Sequence, residues 1–524
     1  MNFKTKIAYT AVLATLGMAA GSAQAVYLSE TGAGQVLIYP YYTVQNGYDT
    51  YVSVVNTTSS AKAVKVRFLE GKASIEVLDF NLYLSPYDVW AAAVTSTTDG
   101  TGALLRTSDT SCTAPQITGD VQFRNLAYSG ADSFENALTR TREGYLEMIE
   151  MGVPNDTDLV NAATPTRGAQ TFAWSVTHDK ATGKPADCAW VNTQWTKFSD
   201  AAGQPTGTLK VGAPIGGLIG TGTLINVAQG TDFSYDPTVL DAFSTSRSIH
   251  TQPGNLSPSL KNATPTSVVV YSTANGQQVV TTDWTTATNT ISGGTPTGSS
   301  GAGAGVDAVN AVLIRGAVMN EYVLDSAISA GTDWVVTFPT KRLGVTATTA
   351  FAPWTKKFGD LAVAPWFTDE TLNADGTFNE GKWKACEVVS FSVFDREENM
   401  KAGGIDFSPN TTPQTTLCKE ANIITFKNSK VLGSINLSNN IDNVYTNGWI
   451  NLALWNNATV FDHGLSTPVG TTTSLSTPGL IYLGLPVTGF AVEKYVNGNV
   501  GGVMSNYGGA YIHKYRREFG FASN

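Results

Sequence analysis

From Gly34 to Trp90 the chain alternates apolar and polar residues in blocks that fit strands. Over Ala63 to Leu69, Val64, Val66 and Phe68 share one face, and Lys65 and Arg67 take the other. Over Val77 to Leu84, Leu78, Phe80, Leu82 and Leu84 point inward, while Asp79, Asn81 and then Ser85 point out. A period of two, aliphatic against charged, predicts half-buried antiparallel strands. Asn46-Gly47 tolerates the positive φ of a type I′ turn and predicts a hairpin. Glu70-Gly71-Lys72 forms the next turn. The segment reads as a β-meander opening a sandwich.

Similar signals recur along the rest of the chain. Asp333 to Pro339 alternates Trp334, Val336 and Phe338 with Val335 and Thr337, and short strands follow at 387–394, 422–426, 449–454, 480–485, 489–496 and 510–515. Thr171 to Thr177 reads as a strand, and 155–163 as a short helix with Asp156 and Asp158 in its first turn. Thr141 to Gly152 fits either element. Its β-formers between glycines, and its strand neighbours, favour a strand. Many short strands with few helices predict an all-β protein of immunoglobulin-like sandwich architecture. Residues 285–305 are almost entirely Thr, Ser, Gly, Pro and Ala, a composition that predicts a linker or long loop between halves at 26–284 and 306–524.

The first 25 residues have the organisation of a signal peptide: Lys4 and Lys6, an apolar core from Ile7 to Ala20, and Ala23-Gln24-Ala25 as the cleavage site. Cleavage after Ala25 would leave 499 residues, with 31 basic against 42 acidic, so the formal charge moves from −9 to −11. At 14% charged residues this acidity is thinly spread. It argues against nucleic acid, which requires clustered Lys and Arg, and against an anionic membrane surface. After the signal, no run approaches the roughly 20 apolar residues of a membrane helix. Cys112, Cys188, Cys386 and Cys418 make an even count in an exported chain, which favours disulfides. Three pairings are possible, and the simplest is Cys112–Cys188 with Cys386–Cys418. No CxxC spacing supports zinc.

No catalytic motif emerges. The histidines His178, His250, His463 and His513 are far apart, with no HExxH and no GxSxG. Gly303-Ala-Gly305-Val-Asp-Ala308 matches a dinucleotide pattern but ends a low-complexity run, and Gly216, Gly217, Gly220 and Gly222 match no phosphate loop. Asp395, Glu397 and Glu398 form the densest acidic run, with the character of a solvated turn. Calcium is the one cofactor left open, through Asn155, Asp156 and Asp158. Aromatics that could stack on carbohydrate are Tyr39, Tyr41 and Tyr42, and Trp190 with Trp195, with Trp354 and Trp366 as a further pair.

GQVLIYPYYT (34–43), AVKVRFLEG (63–71), LDFNLYLSPYDVW (78–90), VMNEYVLD (318–325), GTDWVVTFPTKR (331–342), LCKEANIITF (417–426) and the stretch 484–515 together resemble a family of uncharacterised exported or cell-surface proteins of Gram-negative bacteria. The resemblance spans most of the mature chain. It implies export and one integrated β-rich architecture, and it carries no catalytic residue. The expectation is a non-enzymatic protein of the cell surface, with the periplasm as second location. Its role would be structural, adhesive or in assembly, with itself or other envelope proteins as partners. The alternative is a polysaccharide-binding or polysaccharide-active secreted protein. The strand from Gly34 to Tyr42 is the segment to suspect of strand donation to a neighbour, although pairing inside its own sheet is preferred.

Overall fold

The computed structural model describes residues 25–128, 137–154, 171–194, 211–245, 248–273, 276–285, 290–292, 295–297, 303–345, 350–355, 385–402, 414–455, 463–468 and 480–521. The expected signal peptide, the helix at 155–163 and the calcium ligands Asn155, Asp156 and Asp158 lie outside this set, apart from Ala25. The described chain is all-β, built from several largely antiparallel sheets with four short helices.

The N-terminal strands are β1 (Val36–Thr43), β2 (Asp49–Asn56), β3 (Lys62–Glu70), β4 (Glu76–Leu84), β5 (Val89–Ser96), β6 (Glu143–Pro154), β7 (Leu218–Asn226), β8 (Thr231–Tyr235) and β9 (Thr238–Asp241). The first sheet runs β9-β1-β6-β3-β4, flanked by Tyr27–Leu28 and Cys112–Ala114. The second runs β8-β7-β2-β5 and continues through Ala103–Arg106. The ambiguous 141–152 segment is thus the strand β6, at the centre of the first sheet. Asn46 and Gly47 do adopt positive φ, 52° and 78°, but they join strands of different sheets instead of a hairpin. The cause is occupancy: β1 is already paired with β9 and β6, so the turn hands the chain across to the facing layer. The same pairing on both edges leaves β1 nothing to donate to a neighbour.

The first sheet is buried on both faces. Leu37, Tyr39 and Tyr41 enter one core, while Val36 and Ile38 enter a second, which is why VLIYPYYT is apolar throughout. The second core forms around α1 (Phe172–Val176), α2 (Cys188–Gln194) and α3 (Ala304–Leu313). The expected strand at 171–177 is therefore the helix α1. Thr171 caps it by accepting from Trp174 N at 3.2 Å, and Phe172 and Val176, four apart, share its buried face. The described end of the low-complexity run leads into a helix. Gly303 precedes α3, and buried Gly305 lies so close to Lys261 and Ala263 that a Cβ would stand 2.6 Å from Lys261 O.

The C-terminal strands are β10 (Ala317–Val323), β11 (Ala330–Thr337), β12 (Glu387–Phe394), β13 (Ala421–Phe426), β14 (Asn447–Ala453), β15 (Thr488–Val500), β16 (Val503–Ile512) and β17 (Lys514–Arg516). One sheet runs β12-β14-β10-β17 and the other β13-β11-β15-β16. Their apolar faces continue the first core, which holds Leu37 and Val66 together with Trp334, Val393 and Ile450. Polar ties cross between the halves: Tyr48 OH donates to Val431 O at 3.1 Å, Thr337 Oγ1 to Pro40 O at 2.7 Å, and Ala421 N to Gly71 O at 2.8 Å.

Candidate functional site

Both disulfides have the simplest pairing, Cys112–Cys188 and Cys386–Cys418. The aromatic cluster of β1 is not a ligand platform. Tyr39, Tyr41 and Tyr42 are 0% exposed. Tyr39 OH donates to Ser53 O at 2.6 Å, Tyr41 OH to Glu143 Oε2 at 2.9 Å and Tyr42 OH to Thr141 O at 3.1 Å. Each ring fills core and each hydroxyl finds a partner, as buried tyrosines require. Trp190 is half-buried on α2 against the second core. Trp195 and Trp366 lie outside the described residues, and Trp354 is buried edge-on to Phe338.

The charges expected on the wet face of β3 are inside the protein. Lys65 pairs with Asp79, and Arg67 donates from Nε to Glu76 at 2.7 Å and from Nη1 to Glu147 at 2.9 Å. Lys62 meets Glu150 at 2.8 Å, both side chains 0% exposed. Glu150 also accepts from Ile215 N and Gly216 N, so the glycine-rich loop before β7 is folded around a carboxylate of its own chain. The segment 248–263 roofs this face: Asn81 Nδ2 donates to Thr251 O and Gly254 N to Asp79 Oδ2, each at 2.8 Å. Burial pushes the Glu147 and Glu76 carboxyls up, and Arg67 pulls them back. These carboxylates share one guanidinium, which makes the cluster a structural lattice.

The histidines are also structural. His250 is buried beside Tyr83 OH at 3.2 Å. His463 lies between Pro353 O and Val388 O, and His513 between Val335 O and Asn320. His178 is half-buried against Ser85 Oγ at 2.9 Å. Asp395 accepts from Glu397 N and Asn399 N, closing the acidic run into an exposed turn.

An open aromatic surface lies on the C-terminal strands. Tyr507 and Tyr511 are 59% and 49% exposed and share one face of β16, with Val503 beyond them. The Tyr511 ring lies back over Gly509, where a Cβ would stand 2.6 Å from its hydroxyl, so glycine lets the ring lie along the strand. Tyr495 stands opposite Tyr507 on β15, and its hydroxyl donates to Glu493 at 2.9 Å. Burial together with that carboxylate, then Tyr511 and Glu321, pushes the Tyr495 phenol up to about 12. Across the neighbouring sheet, Glu321, Trp449 and Phe394 stand in register. Phe394 and Trp449 stack at 4.3 Å and 10°, with Trp449 39% exposed. Flat rings beside two carboxylates offer stacking faces and hydrogen-bond acceptors. The sequence carried one sign of this face: tyrosines at 507 and 511, four apart on a strand, with Gly508, Gly509 and Ala510 between them.

No family model, curated protein or solved structure matches the chain.

Proposed function

We propose that this is an exported cell-surface or envelope protein that acts by non-covalent contact, in a structural, adhesive or assembly role. The carrying observation is the aromatic face of β14, β15 and β16, since large rings left open together mark interaction surfaces. Two disulfides support export to an oxidising compartment. The resemblance to exported Gram-negative proteins supports the same location. The ionic lattice supports a scaffold role, because charges the sequence offers for chemistry are spent on packing. The test is protease treatment of intact host cells, fractionation, and electron microscopy of released material. Accessible protein in ordered assemblies is the expected result; protein that is shielded and monomeric would sink the surface reading.

The stacked Phe394–Trp449 pair, with Tyr495 and Glu493 nearby, specifically favours polysaccharide as the contact partner. A glycan panel should then retain the protein, and Trp449→Ala with Tyr507→Ala should release it. Equal retention of the variant would remove this reading.

A further inference from the structure

Between the two halves lies a cavity of about 270 Å³. Its apolar lining includes Leu28, Pro40, Val318 and Val487, and Arg315 and the half-exposed Tyr515 line it as well. Arg315 is 4% exposed, and its guanidinium sits 3.8 Å above the Tyr515 ring. Of its five N–H donors, only those on Nη1 are engaged among the described residues, by Val312 O at 2.9 Å and Ile314 O at 3.0 Å. Among the described residues no carboxylate pairs with it.

A second cation deepens the imbalance. Arg517 donates to Ala311 O, Ile314 O and Val312 O, at the same C-terminal end of α3. The two guanidiniums share Val312 O and Ile314 O, and Arg517 stands 5.8 Å from the Tyr515 ring. The helix terminus supplies only about half a negative charge, against two full positive ones. Buried Lys62, Lys65 and Arg67 each meet a carboxylate, whereas Arg315 meets two carbonyls. The carboxylates lining the cavity, Glu30 and Asp236, are both exposed at its mouth. They disfavour ligands bearing several negative charges and leave room for one anionic head placed deep.

We propose that this cavity binds a small monocarboxylate with an apolar or aromatic body, its carboxylate on the free Arg315 N–H groups and its body against Tyr515, Val318 and Val487. This goes beyond the aromatic surface, which lies on the opposite face of β16 from Ile512 at the cavity mouth.

The probe is benzoate, with benzamide as its uncharged counterpart, titrated by calorimetry into the full mature chain. Benzoate should bind and benzamide should bind at least tenfold more weakly. Arg315→Gln should weaken benzoate about ten- to a hundredfold, the worth of a charge-assisted hydrogen bond. Because Arg315 also caps α3, a second variant guards against misfolding. Ile512→Glu changes an exposed residue at the mouth and should likewise weaken benzoate by repulsion. No benzoate binding up to about 10 mM overturns the proposal, as does binding unchanged in both variants. Binding of the free acid of Ala-Ala-Phe without binding of benzoate would overturn the small-molecule assignment in favour of a chain terminus.

Discussion

Replacing Arg67 by Met tests whether the charged face of β3 is a packed lattice. Arg67 is the shared cation of Glu76 and Glu147, at 2.7 and 2.9 Å, and all three side chains are less than a tenth exposed. Methionine keeps most of the volume and removes the charge. Both carboxyls are already pushed up by burial, with Arg67 the main influence pulling them down. Without it, two acids face each other beside Leu260, with Lys261 and Arg342 as the remaining cations lining the same pocket. Removing one partner of a buried ionic cluster costs about 3–5 kcal/mol. The pH sign follows from linkage: in the variant both folded pKa values rise further above the unfolded value of 4.5. The folded state then holds protons the unfolded chain has released, so stability is lost as pH rises. Urea unfolding at pH 7 should show the full loss, and at about pH 5 a smaller one. A loss under about 1 kcal/mol, or one equal at both pH values, would refute the buried-lattice account.

Serine at Cys112 and Cys188 opens a loop spanning a separation of 76 residues and should cost about 4.5 kcal/mol by the chain-entropy relation; an unchanged urea midpoint would contradict that. Gly220→Ala sets a Cβ 2.0 Å from Tyr39 Oη and 2.5 Å from Ser53 O, so thermal unfolding should register a loss of about 1–3 kcal/mol, and an unshifted Tm would count against this close approach of the two sheets. Burial lowers His513 to about 4 from 6.5, so the stability tied to its neutral form is full above pH 6.5 and is lost as pH falls toward 4. Asp333, pushed up to about 6 by burial, acts in the opposite sense over the same range. His513→Gln should therefore flatten the acid side of the stability profile, a change of about 3 kcal/mol between pH 7 and 4, and an unaltered profile would remove His513 from the account.

Strand positions were legible where the period-two pattern was strong. Glu387 to Phe394 and Asn422 to Phe426 fall on β12 and β13 almost residue for residue. Partners were less legible, because pairing depends on which edges are already occupied: Asn46-Gly47 has the right turn chemistry and still crosses between sheets. Helix α1 was missed because five residues are too few for periodicity to separate a helical Phe172/Val176 pair from strand alternation. The site residues failed for a related reason. Composition shows that Tyr39, Tyr41 and Tyr42 are aromatic, but not that a second core lies behind their sheet. Burial of Lys65 and Arg67 was hidden because their partners Asp79, Glu76 and Glu147 come from two other strands, one of them far along the chain.

The two-sided burial of the first sheet also accounts for where contact surface is found. A sheet with a core on each face must satisfy its charges internally, so Lys62, Lys65, Arg67, Glu147 and Glu150 are tied to one another and to the backbone that covers them. The side chains of β1, β3 and β6 are almost all buried inside the protein, Pro40 lining the cavity beside Arg315. The sheet β13-β11-β15-β16 ends at β16, where Tyr511 O accepts from Asn320 Nδ2 and the strand's own Asn506 Nδ2 donates to Gln229 O. Its neighbour carries Trp449 and Phe394 outward. Open rings on β14 to β16 and the Arg315 guanidinium, held over Tyr515 of β17, therefore both lie in the C-terminal half of the chain, where the layers stop. Interaction follows from architecture here: the central sheet holds the halves together, and the outermost strands are the ones with chemistry to spare.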